Sequence, residues 1–273
     1  MDTTAKCICF IGPPASGKGT IASNIKEHFG IQIISPGEVF KHVRKQNAEL
    51  GEIVREALKD GGYAPDSLTN DIVFHAIDEL KQVCDAFNEK TIVMLDGFPR
   101  NIAQLESLEE RYEICAFVHL DAPYEHLLKA AINRRNCVTC KKVFSAVNPP
   151  RRKGFTFYEI DRASDEITLL NDPTEAKNKE NLAISFPKCN CLRGSVPDEG
   201  EQCASIDGEI AWETRWDDTA EFYEKRYDTY ISITQPIIDA IRERPTYRRF
   251  EILTKPDDVE AVEKWLAAIL GEY

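Results

Sequence analysis

Short strand-like runs recur along the chain at residues 7–11, 31–34, 91–95, 115–120 and 248–253, with helical segments between them. Strands that alternate with helices predict an α/β fold, a five-stranded parallel sheet covered by helices on both faces. After the first run a helix is predicted over residues 18–29. It stops at Gly30, the residue expected for a left-handed C-terminal cap. A second helix starts at Asp66, where Leu68, Ile72, Val73 and Ile77 have helical spacing. Near the end, Asp218 and Glu221 stand at capping-box spacing, although such boxes usually begin with Ser or Thr, and they predict a long helix reaching Ile241.

Two stretches break the alternation. Residues 36–65 carry two short helical patterns and predict a small flap, and residues 136–216 form a larger interruption without sustained apolar periodicity. Inside the latter, 155–187 is a long insertion of mixed charge and is expected to be a solvated loop. The expected organisation is one core domain from 1–35, 66–135 and 217–273, a flap at 36–65 and a lid at 136–216. There is no internal repeat.

Composition narrows the class. With 273 residues and 42% hydrophobic content the chain can bury a sizeable core, which excludes a disordered chain. The net charge of -12 argues against a general nucleic-acid or membrane-surface binder, so phosphate ligands must be met by local arginines. No signal sequence opens the chain, and no apolar run approaches the ~20 residues that span a bilayer. A soluble cytoplasmic protein is expected, without nucleic-acid or membrane partners. No heptad or apolar stripe demands a dimer, so a monomer is expected. Cys7, Cys9, Cys84 and Cys115 lie among apolar neighbours and predict buried thiols in a reducing compartment, whereas Cys137, Cys140, Cys189, Cys191 and Cys203 all fall in the large interruption.

The chemistry begins at Gly12-Pro13-Pro14-Ala15-Ser16-Gly17-Lys18-Gly19-Thr20, between the first strand and the first helix. Glycines let backbone N–H groups curl around phosphate oxygens, Lys18 adds a mobile positive charge, and Thr20 offers a hydroxyl to Mg²⁺. The second decisive stretch is Leu95-Asp96-Gly97-Phe98-Pro99-Arg100-Asn101-Ile102-Ala103-Gln104, directly after an apolar strand. Asp96 can hold Mg²⁺ through water, and Arg100 can fork onto a phosphate. Gln104 carries an amide that both donates to and accepts from a base edge.

Together these stretches closely resemble the adenylate kinase branch of the nucleoside monophosphate kinases, a P-loop family, and the resemblance covers nearly the whole chain. It implies reversible transfer from MgATP to AMP to give two ADP. It assigns Ala15, Ser16, Gly17, Lys18, Gly19 and Thr20 to the donor phosphates. Pro36, Lys41, Gly62, Tyr63 and Ala64, with Gly97, Phe98, Pro99, Arg100 and Gln104, go to the acceptor. Arg134 matches the first arginine of the pair before the lid, Arg215 the arginine at its far hinge, and Arg226 an arginine one helical segment later. Val143, Phe144 and Lys255 fall where the family meets the donor base.

The chain departs from the family pattern at Pro36, usually Thr, at Lys41, usually Arg, and at Tyr63 and Ala64, usually Leu and Val. Ala130 also replaces an arginine that many members stack on the donor adenine. The resemblance implies that Lys18, Arg100, Arg134, Arg215 and Arg226 converge on the phosphates, with Thr20 and Asp96 at the Mg²⁺. Cys137 and Cys140 have the spacing of half a tetrahedral zinc site. The zinc-bearing lids of the family imply a structural Zn²⁺ completed by Cys203 and either Cys189 or Cys191. A kinase for another monophosphate and a non-catalytic nucleotide sensor are the competing readings.

Overall fold

The apolar runs become adjacent strands of one sheet. In a computed structural model the described residues are 5–37, 39–40, 52, 56, 62–137, 143–145, 156–161, 166–170, 182–185, 212–213, 218–252 and 256–271; of these, 135–137, 143–213 and 256–257 are described by backbone alone. The order is β1 (Lys6–Ile11), α1 (Lys18–Phe29), β2 (Gln32–Ile34), α2 (Asp66–Ala86), β3 (Ile92–Asp96), α3 (Ile102–Glu109), β4 (Glu113–Asp121) and α4 (Tyr124–Ile132). After the inserted strands come α5 (Ala220–Thr229), a π-helical turn (Tyr230–Thr234), α6 (Gln235–Ile241), β11 (Tyr247–Glu251) and α7 (Pro256–Gly271).

Strands β11-β4-β1-β3-β2 form an all-parallel sheet in that order. Burial on both faces explains why the runs read as nearly continuous apolar sequence. Cys7, Cys9 and Ile11 of β1 pack with Val73 and Ile77 of α2, Leu105 and Leu108 of α3 and Ile237 and Ile241 of α6. Ile8 and Phe10 belong to a second cluster, with Ile21 and Ile25 of α1 and Val262 and Leu266 of α7. Gly30 caps α1 at φ 70, its N–H donating to Lys26 O, as its position predicts.

The chain divides into two compact units, Met1–Leu128 with Ala220–Tyr273, and Lys129–Thr219. The second unit contains two small antiparallel sheets. One has the order β10-β5-β6, from β5 (Arg134–Cys137), β6 (Val143–Ser145) and β10 (Trp212–Glu213); the other has the order β8-β7-β9, from β7 (Thr156–Asp161), β8 (Glu166–Leu170) and β9 (Leu182–Ser185). The expected loop at 155–187 therefore holds strands. Thr156-Phe157-Tyr158-Glu159-Ile160-Asp161 and Glu166-Ile167-Thr168-Leu169-Leu170 are rich in aromatic and β-branched residues that suit pairing despite their mixed charge.

Other expectations are corrected locally. The last long helix reaches Ile241 but is interrupted by the π-helical turn, where Gln235 N–H bonds to Tyr230 O, five residues back, just before Pro236, which has no N–H to give. Asp218 is not its cap, because α5 begins at Ala220. Instead the Asp218 carboxylate accepts from Arg134 Nε at 3.0 Å and also from Arg134 Nη2. Cys84 is only half-buried, while Cys7, Cys9 and Cys115 are buried. Burial pushes the Cys115 thiol up to about 11 and raises the Cys7 and Cys9 thiols as well, so these thiols are inert packing groups. Among the described residues, no helix is long and apolar enough to cross a membrane.

Candidate active site

The two decisive loops leave the sheet side by side. Strands β1 and β3 are hydrogen-bonded neighbours with Phe10 opposite Asp96, so the loop after Ile11 and the loop after Asp96 emerge together at the carboxyl edge. The chain runs outward from β1 to β2, returns to β3 and then passes to β4 on the other side of β1. A reversal of this kind opens a crevice at the strand ends, where α/β sheets take their ligands.

The loop after β1 is built from backbone. Ala15 and Gly17 have φ of 63° and 80°, left-handed values within the loop that bends round into α1. The N-cap of α1 is Gly17, with no side-chain cap, and its first turn has no acidic residue, so the positive end of the helix dipole favours an anion there. A Cβ on Gly12 would lie 2.1 Å from Leu120 O, and this contact with β4 leaves room for no other residue. Lys18 Nζ donates to Gly12 O and Pro13 O, both at 2.8 Å, and to Ser16 Oγ at 3.3 Å. Asp96 leans on the same corner: a Cβ on Gly19 would lie 3.3 Å from its Oδ2. That places a carboxylate beside the residue preceding Thr20, a fitting pair of oxygen donors for a hard divalent cation.

The wall after β3 is built from side chains. Arg100 Nε donates to Gly97 O at 2.7 Å, and its guanidinium carbon lies 4.5 Å from the centroid of the Tyr63 ring. Gln104 is 1% exposed, with Oε1 accepting from Arg100 N at 2.8 Å and Nε2 donating to Asp66 Oδ1 at 2.7 Å. The carboxylate partner fixes which way the amide points. Asn101 caps α3, its Oδ1 accepting from Gln104 N at 2.8 Å, and its Nδ2 reaches Asp66 at 2.9 Å. Phe98 and Pro99 are buried, Ala64 is 6% exposed and packs with Phe40, and Pro36 is buried at the first position of the helical stretch after β2.

The remaining expected residues divide in two. Arg226 lies in the last turn of α5, half-buried, and Arg134 belongs to the second unit with Asp218. For Val143 and Phe144 only the backbone of β6 is described. Lys41, Arg215, Lys255, Cys140, Cys189, Cys191 and Cys203 lie outside the described residues, and Cys137 is described by backbone alone. Among the described residues no group of three or more His, Cys, Asp or Glu could hold a metal ion. The expected zinc set therefore draws no support from this structure.

Three residues in these networks carry no signal of such a role in the sequence. Thr234 donates to Arg100 O at 2.8 Å from 134 positions away. Asp66 reads only as a helix start, yet it ties Gln104 to Asn101. His119, on β4 opposite Ile11 of β1, is 4% exposed and bonds through Nδ1 to the Tyr247 hydroxyl at 2.6 Å.

A glycine-rich loop at the end of one strand, beside an arginine and glutamine wall at the end of the next, matches a known family. The adenylate kinase family model covers residues 10–245. The chain belongs to the adenylate kinase family. It is similar to the adenylate kinase of Thermotoga neapolitana, 28% identical over 269 residues, 96% of this chain and 94% of the relative. The adenylate kinase of Mycoplasmopsis pulmonis is 35% identical over 185 residues, 67% of this chain and 82% of the relative. That of Thermosipho africanus is 36% identical over 195 residues, 67% and 88% respectively. As a member of the adenylate kinase family the chain is a nucleoside monophosphate kinase, a phosphotransferase acting between adenine nucleotides.

Proposed function

We propose that the chain catalyses the reversible transfer of the γ-phosphoryl group of MgATP to AMP, giving two ADP. The observation that carries this reading is the adjacency of the donor loop and the acceptor wall on the neighbouring strands β1 and β3. Phosphoryl transfer has a loose transition state with charge spread over the equatorial oxygens, so positioning and electrostatics suffice without a protein nucleophile. Lys18 and the N–H groups of the loop hold the donor phosphates. Arg100 holds the acceptor phosphate through its two terminal nitrogens, because Nε is engaged by Gly97. Gln104 reads adenine with the second N–H and second lone pair that Asp66 and Arg100 leave to it.

Arg134, Arg215 and Arg226 supply further positive charge, and Val143, Phe144 and Lys255 contact the donor base. Thr20 and Asp96 would hold Mg²⁺, which when bound offsets charge between the donor phosphates. A coupled assay pairing ATP or GTP with AMP, UMP, CMP or GMP tests the reading. ATP with AMP is expected to give the highest kcat/KM. A higher value with another acceptor or with GTP overturns the base assignments, and no turnover with any pair overturns the function.

A further inference from the structure

We propose that Tyr63 and Thr234 are positioning residues that aim Arg100 at the acceptor phosphate, an inference that rests on the reading above. Where the family usually has an aliphatic residue, Tyr63 lays its ring against the guanidinium, 4.5 Å from centroid to Cζ. A ring covers the face of a guanidinium, whereas a phosphate is gripped at its edge in the plane. The two contacts are orthogonal and can coexist. With Nε tied to Gly97 O, the ring removes the remaining freedom of rotation and leaves the terminal nitrogens as the working edge. Gly97 lies close to the same group, since a Cβ there would lie 3.1 Å from Arg100 Nη2.

Thr234 holds the ring in place. Its hydroxyl donates to Arg100 O at 2.8 Å, and a carbonyl can only accept. The single Thr234 proton is thereby committed, so the Tyr63 hydroxyl donates to Thr234 Oγ1 across 3.1 Å. One buried threonine in the π-helical turn thus fixes both the backbone of Arg100 and the ring against its side chain. The widened turn has a use here, because Thr234 is its last residue. Cooperative hydrogen bonds in a buried site of this kind specify one geometry.

Steady-state kinetics of the full chain, with AMP and ATP varied separately, tests the proposal. Tyr63→Leu is expected to raise KM for AMP roughly 3–10-fold, the usual strength of a partly shielded cation–π contact, with KM for ATP unchanged. Tyr63→Phe keeps the ring and is expected to recover most of that loss. Thr234→Val removes both of its hydrogen bonds, releasing the ring and the Arg100 backbone, and is expected to raise KM for AMP about 2–5-fold. In an Arg100→Ala background, Tyr63→Leu is expected to add nothing. An unchanged KM for AMP in Tyr63→Leu overturns the proposal, as does an equal rise for both substrates or an effect that persists without Arg100. If Tyr63→Leu does not fold, Tyr63→Phe and Thr234→Val decide by the same split. Wild-type turnover with AMP separates this test from the functional reading: its absence defeats that reading, whereas its presence with no split defeats the positioning role alone.

Discussion

The loop after β1 and the wall after β3 stand on neighbouring strands, yet they are made of different material. The loop is backbone: left-handed residues at Ala15 and Gly17, an uncapped helix start and carbonyls that receive Lys18. The wall is a lattice of side chains in which Asp66, Asn101, Gln104, Arg100, Tyr63 and Thr234 hold one another. Backbone donors recognise any phosphate chain and read no base. A side-chain lattice can discriminate, but every member must be satisfied for any of them to be placed. The donor end should therefore lose catalysis without losing the fold, and the acceptor end should lose binding and stability together.

Lys18→Ala breaks the donor end most sharply. Removing one charge that acts on the transferred group commonly costs 10²–10³-fold in turnover, about 2.7–4 kcal/mol. Lys18 donates to three loop acceptors, two of them backbone carbonyls, so the unfolding free energy should stay within about 0.5 kcal/mol of wild type. A coupled assay beside a urea titration checks both halves. Undiminished turnover would remove Lys18 from the mechanism, and a large loss of stability would show that the loop is held by the lysine rather than by its backbone.

Below the loop the contrast is tested by pH. Burial lowers the pKa of His119 from 6.5 to about 4; nearby Asp121 opposes this shift, and Arg249 and Lys18 assist it. The unfolded chain therefore binds a proton between pH 6.5 and 4 that the folded chain does not, so stability rises with pH across that window and is lost as the pH falls through it. The difference between pH 7 and pH 4 amounts to about 3 kcal/mol from this one group. Unfolding titrations of wild type and His119→Gln at both pH values should differ by that amount in their pH dependence. Equal slopes would show that the imidazole titrates freely in the fold.

The two regions were also unequally legible in the sequence. Backbone geometry demands particular residues at particular spacings, so the glycines of residues 12–20 and the cap at Gly30 could be read directly, as could the parallel sheet from its apolar runs. Side-chain lattices leave no such trace. Nothing in the spacing of Tyr63, Asp66, Arg100 and Thr234 says that they meet; they do so because the start of α2, the end of β3 and the π-helical turn bring distant segments together. Asp218 and Glu221 had the spacing of a cap, but the ion pair with Arg134 claimed the Asp218 carboxylate. Gln104 would pass for a surface amide, and its burial followed only from packing. Mixed charge likewise concealed the strands within 155–187, where the pairing partner and not the pattern settles the structure.

The smallest expected effect divides the acceptor end within itself. Asn101 does two things there, since Oδ1 caps α3 by accepting from Gln104 N and Nδ2 holds the Asp66 carboxylate. Asn101→Ala removes both and should cost about 1–2 kcal/mol in unfolding free energy, the usual loss for an N-cap. Asn101→Ser restores a capping oxygen but cannot reach Asp66 with a donor amide, so it should regain about 1 kcal/mol of that loss. Its KM for AMP should nevertheless stay about 2–3-fold above wild type, because Asp66 then fixes Gln104 with one partner fewer. Kinetics and denaturation of the two variants separate the roles. If Asn101→Ser matches wild type in both measurements, Asn101 is a cap and nothing more, and the wall is a looser assembly than an interlocked lattice. If stability returns and KM does not, the same residue supports the fold through one atom and acceptor recognition through another.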